Sequence, residues 1–147
     1  MIGPLVLRSG LTGVVLGACV MFASPAVAET LSFKADLKAS EEVPANDSKG
    51  TGTVTATYDS ASKKLTWKGN YSGLTGPATM AHFHGPAEPG KNAGVAVPIT
   101  PSTSPFENSA NLTDAQAADL MAGRWYVNVH TGAHPGGEIR GQLVKGM

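Results

Sequence analysis

The chain has 147 residues, 41% of them hydrophobic and 15% charged, and its eleven basic side chains balance eleven acidic ones. A neutral chain with no basic run excludes nucleic acid as an expected partner. The length allows one domain.

That domain is expected to start after a leader. Met1 to Arg8 carries one positive charge, and residues 10–23 (GLTGVVLGACVMFA) form an apolar run too short and glycine-rich for a membrane span. Ser24-Pro25-Ala26-Val27-Ala28 supplies the small residues that a signal peptidase reads, so residues 1–28 read as a signal peptide. The mature chain, 29–147, is then periplasmic or secreted, with no membrane span after cleavage. The alternative is a lipoprotein anchored at Cys19, because Leu16-Gly17-Ala18-Cys19 fits a lipidation box. The residues after Cys19 are apolar, however, where a lipoprotein tether is usually polar. Cys19 is the sole cysteine and leaves with the leader, so no disulfide is available and the core alone must hold the fold.

Period-two alternation runs through the mature chain. Leu31, Phe33, Ala35, Leu37 and Ala39 alternate with polar residues, the pattern of a half-buried strand, and Pro44 closes it. Thr51 to Tyr58 predicts a second strand, Leu65 to Tyr71 a third, and Ala78 to His84 a fourth. A short apolar run, Val95 to Ile99, follows a Gly/Pro loop, and residues 100–111 read as a surface connection. Thr113 and Gln116 have capping-box spacing at the start of a helix running to Met121, with Gly123 as its stop. Trp125 to Thr131 predicts a strand with Trp125, Val127 and Val129 on one face and Tyr126, Asn128 and His130 on the other. A turn at Gly132 to Gly137 leads to a closing strand, Glu138 to Val144. About seven strands with one short helix predict an all-β fold, a Greek-key or immunoglobulin-like β-sandwich.

The four histidines form two tight pairs, His82-x-His84 and His130-x-x-x-His134. Residues i and i+2 of a strand share a face, so His82 and His84 project side by side. Neutral imidazole is a common ligand for copper and zinc. His82, His84, His130 and His134 are therefore the candidate metal ligands, with copper ion preferred because Cu(II) exceeds Zn(II) in affinity for a given nitrogen site. Zinc is the alternative. Each also has a plain structural reading: a solvated strand face for His82 and His84, a hydrogen-bonded polar residue for His130, and a turn residue for His134. Glu138 and Arg140, alternating with Ile139, read as a structural ion pair or as hydrogen bonds fixing the turn. Trp67 and Trp125 read as core.

Three segments together carry a family resemblance: Glu41-Glu42-Val43-Pro44, Ala81-His82-Phe83-His84-Gly85-Pro86-Ala87, and Tyr126 to Thr131 running into Pro135-Gly-Gly-Glu-Ile-Arg-Gly-Gln-Leu143. They resemble the CHRD family, the domain first named from chordin, over about Leu31 to Val144. The resemblance implies a sandwich fold and implies little about activity. In vertebrate chordin the domain belongs to an extracellular binder of growth factors. A weaker similarity is to the copper half of copper/zinc superoxide dismutase, with His82 and His84 as the strand pair and His130 on a late strand. The mature chain lacks that family's cysteine pair and the Asp/His run of its zinc loop. This similarity therefore implies a habit of metal binding more than dismutase activity.

No Gly-x-Ser-x-Gly motif, mature cysteine or phosphate-cradling glycine motif is present, and Glu41 and Glu42 fall on opposite faces. An enzyme is the less expected class. The readings left are a metal-binding protein and a metal-free module that binds a ligand or another extracytoplasmic protein.

Overall fold

One-sided burial turns the alternating segments into strands. In the computed structural model, which describes Gly3 and residues 27–146, the chain forms β1 (Thr30–Lys38), β2 (Thr51–Asp59), β3 (Lys64–Ser72), β4 (Ala78–His84) and β5 (Val95–Pro98). Then come β6 (Phe106–Asn111), α1 (Asp114–Met121), β7 (Tyr126–Thr131), β8 (Ile139–Gln142) and β9 (Val144–Lys145). The expected leader and its Cys19 lie almost wholly outside the described residues. Among the described residues, no helix is long and apolar enough to cross a membrane.

All strand pairs are antiparallel, in the order β5-β4-β7-β8-β1-β2-β3-β6, with β9 also on β1. Phe33, Ala56 and Trp67 lie in register across β1, β2 and β3, a large-small-large row that lets the two rings flank a methyl group. Trp67 on β3 and Phe83 on β4 are far apart along this ladder, yet their rings meet edge-on with centroids 5.1 Å apart. The sheet therefore curls until its inner faces meet. Burying a ring the size of Phe83 contributes about 2–3 kcal/mol relative to leaving it in water. Gly69 has no room for a side chain, because a Cβ there would run into the Phe106 ring and Val54.

The helix forms where its capping box predicts. Thr113 Oγ1 accepts from the Gln116 N–H, and Gln116 Oε1 accepts from the Thr113 N–H. Ala117 and Leu120 enter the core, while Gln116 Nε2 donates to the Ala96 carbonyl and fixes the helix to β5. Gly123, just past the end, has φ +73°, which glycine adopts without steric cost.

Two expectations are revised, and with them the count of seven strands becomes nine among the described residues. Residues 100–111 are more than a connection, since Phe106–Asn111 pairs with β3 from Lys64↔Asn111 to Gly69↔Phe106. The closing strand also breaks at Leu143, leaving β8 on β7 and the two-residue β9 on β1.

Glu138 and Arg140 do not pair with each other. Glu138 is fully buried and accepts from the hydroxyls of Ser48 (2.5 Å), Thr75 (2.8 Å) and Thr131 (2.6 Å) and from the Thr75 N–H (2.8 Å). Burial pushes its pKa up, but these donors prevail and hold it at about 2. Arg140 donates to Asn92 Oδ1 and to the Lys91 carbonyl. The structure thus shows hydrogen bonds in place of an ion pair, and of these only the one from Thr131 to Glu138 lies at the turn, the others reaching distant segments.

Candidate metal centre

On β4 the alternation places Ala81 and Phe83 in the core and Met80, His82 and His84 on the opposite face. On β7, Val127 and Val129 point inward and Tyr126, Asn128 and His130 outward. β4 and β7 pair in the register His84↔Tyr126, His82↔Asn128 and Met80↔His130, so the two sets of side chains meet on one face.

His82, His84 and His130 each offer a ring nitrogen, and these three atoms lie within 4.8 Å of one another. His82 Nδ1 and His130 Nε2 are 3.1 Å apart. Two nitrogens bound to one metal at roughly 2.0–2.1 Å stand roughly 2.9–3.4 Å apart, so the observed separation fits a shared ion. His130 Nδ1 faces the Pro135 carbonyl at 2.9 Å, which accepts only. The proton is therefore on Nδ1, and Nε2 keeps its lone pair toward His82. An outer-shell carbonyl that fixes the tautomer in this way is a recurring feature of metal-binding histidines.

His84 is buried more deeply, 8% exposed, with Nδ1 3.0 Å from the Ala93 carbonyl and Nε2 2.9 Å from Asn128 Oδ1. Its ring stacks on Tyr126, centroids 4.8 Å apart and 2° from parallel. The Arg140 guanidinium carbon lies 3.5 Å from the centre of the same phenol. Since β4 and β8 flank β7, imidazole and guanidinium cover opposite sides of Tyr126.

Burial lowers the pKa of His82 below 6.5, and the neighbouring His130 and His84 rings lower it further. Burial also lowers that of His84, against hydrogen bonds to Ala93 and Asn128 that favour its cation. Both shifts favour the neutral ring, the form that binds metal.

His134 is not part of this group. Its backbone N–H turns back to Thr131, and its ring is not among the three that converge. Asn128, Tyr126, Arg140 and Glu42 are neighbours of the site, a place that the sequence alone does not give them. Asn128 and Tyr126 share the His130 face by alternation, which is the one signal available for them. Glu42 is 5% exposed, with Oε1 lacking a hydrogen-bond partner. Burial raises its pKa from 4.5 to about 7, although Arg140, Asn128 and the Val43 backbone pull it down. Adjacent Glu41 is exposed, because a 3-10 turn over Ala39–Glu41 breaks the strand alternation and turns Glu42 inward instead.

The family model for the CHRD domain matches residues 33–143. The chain belongs to the CHRD domain family. No curated protein and no solved structure matches it. The match runs from Phe33 within β1 to Leu143, so all three converging imidazoles, Glu42 and Glu138 are part of the CHRD domain itself.

Proposed function

We propose that this CHRD protein is an exported metal-binding module whose ion is held by His82, His84 and His130, with copper preferred over zinc. The observation that carries the reading is the convergence of three ring nitrogens within 4.8 Å from two paired strands. The chemistry of the donors supports it. Three neutral imidazoles and no thiolate suit copper, and zinc accepts three histidines with an open fourth position. The ion would replace the proton between His82 and His130, and His84 would exchange its Asn128 contact for the metal while keeping Ala93. The leader-like residues 1–28 and the extracellular character of the CHRD domain favour a periplasmic or secreted location.

The test is calorimetric titration of copper and of zinc into the protein and into a His82→Ala/His84→Ala variant. A loss of at least a hundredfold in affinity is expected in the variant. Equal affinity in both proteins would overturn the assignment.

A second reading, a metal-free interaction module, rests on the opposite face of the fold. There Ser32, Thr57, Thr66 and Ser109 lie in register across four strands, beside a hollow of about 930 Å³ also lined by Lys34, Lys64 and Lys68. Retention of partner binding after the histidine substitutions would favour it.

A further inference from the structure

We infer that the site takes copper as Cu(I), with the thioether of Met80 as its fourth donor and its specificity-determining residue. The inference rests on the metal-binding reading and names the ion's oxidation state and one more ligand.

Met80 stands two residues before His82 on β4, on the face that carries both histidines, and pairs in register with His130. Directly opposed residues of an antiparallel pair have Cβ atoms roughly 4.5–5.5 Å apart, within reach of a flexible methionine side chain. Met80 is 47% exposed, whereas Ala81 and Phe83 on the other face are buried. It fills no core space, so packing does not account for an apolar side chain at this position. Its neighbour His82 is the least buried of the three imidazoles, which puts the thioether on the solvent side of the cluster, where an incoming ion arrives.

Two chemical arguments point to the monovalent ion. A thioether is a soft donor that suits Cu(I), the softest of the three ions, better than borderline Zn(II), and to Cu(II) it is a weak, long axial ligand. The charge of the site points the same way. All three imidazoles are neutral as ligands, and no carboxylate or thiolate joins the group among the described residues. The guanidinium of Arg140 is stacked behind His84 through Tyr126. A divalent ion here would have no anionic ligand to offset it, with a fixed cation behind one of its imidazoles. Cu(I) halves that charge and halves the Coulombic penalty that scales with it.

The experiment compares the protein, Met80→Leu and His82→Ala/His84→Ala. Cu(I) affinity is measured anaerobically by competition with a chromophoric Cu(I) chelator, and Cu(II) and Zn(II) affinities by calorimetry. Leucine keeps the volume and removes the sulfur. A drop of tenfold or more in Cu(I) affinity for Met80→Leu is expected, with Cu(II) and Zn(II) affinities unchanged within twofold. X-ray absorption of the Cu(I)-loaded protein should show a sulfur scatterer that the leucine variant lacks. Unchanged Cu(I) affinity in Met80→Leu, with loss in the histidine variant, would overturn the role of Met80 and leave the histidine site standing. Equal losses for Cu(I) and Zn(II) in Met80→Leu would also overturn it, as a sign of general disturbance. No binding of any of the three ions by the unsubstituted protein would overturn both readings.

Discussion

Replacing Glu42 by glutamine should change how stability depends on pH, and the size of the change follows from the burial of its carboxyl. Glu42 is 5% exposed, its Oε1 has no partner, and its pKa is raised from 4.5 to about 7. Arg140 does not prevent this, because its guanidinium is held by Asn92, Lys91 and the Tyr126 ring. Below pH 4.5 the carboxyl is protonated in both the folded and the unfolded chain. Between pH 4.5 and about 7 the unfolded chain gives up this proton while the folded chain keeps it, so stability falls as pH rises. At about 1.36 kcal/mol per pH unit the fall amounts to about 3 kcal/mol. Glutamine keeps the shape and cannot titrate. Urea denaturation of both proteins at pH 4.5 and pH 8 should therefore show the variant gaining about 3 kcal/mol relative to the parent at the higher pH. His82 and His84 titrate in the same range, but they are present in both proteins and cancel in the difference. A difference constant to within 1 kcal/mol across that range would refute the reasoning.

Three further outcomes follow. Glu138→Gln removes a buried charge that accepts four hydrogen bonds and should cost about 2–3 kcal/mol at pH 7. Because the folded pKa of Glu138 is depressed, that cost should shrink as pH falls from 4.5 towards 2, which acid titration of both proteins by circular dichroism would reveal. Phe83→Ala empties a space between Trp67 and Trp125 and should destabilise the fold by about 3–5 kcal/mol in chemical denaturation. Metal occupancy at fixed, sub-saturating free copper should fall as pH drops from 7 towards 5, because protons compete for the imidazole nitrogens, and the lowered pKa values of His82 and His84 delay that loss to lower pH. At sub-saturating copper, occupancy unchanged between pH 7 and pH 5 would mean that the ligands are not imidazoles.

The strands with one buried face were legible in the sequence because burial writes period two into it. β1 buries every second residue from Leu31 to Leu37, and Thr113 with Gln116 marked the helix start through local geometry alone. β6 was not legible. Of Phe106–Asn111 only Phe106 is buried, and the rest is held by backbone pairing to β3, which leaves no side-chain pattern. The histidine pairs were visible as pairs, but their convergence depends on β4 lying beside β7, a pairing between segments about fifty residues apart. His134 shows the limit of proximity in sequence: it is four residues from His130, and the turn between them keeps it out of the group. The burial of Glu42 beside the site was not legible, because Asn128, Gly137 and Arg140, which surround it, are all distant in the chain.

Glu138 has a consequence for the conditions under which the domain can assemble. It joins the segment before β2 at Ser48, the segment before β4 at Thr75 and the end of β7 at Thr131, a tie between distant segments of the kind that disulfides supply in many small domains. The only thiol in the sequence is Cys19, outside the matched domain. The tie is thus an anion gripped by hydroxyls, which no reductant cleaves and no oxidant needs to form. The fold should reach the same stability in reducing and oxidising solution, and strong acid is the agent that loosens it.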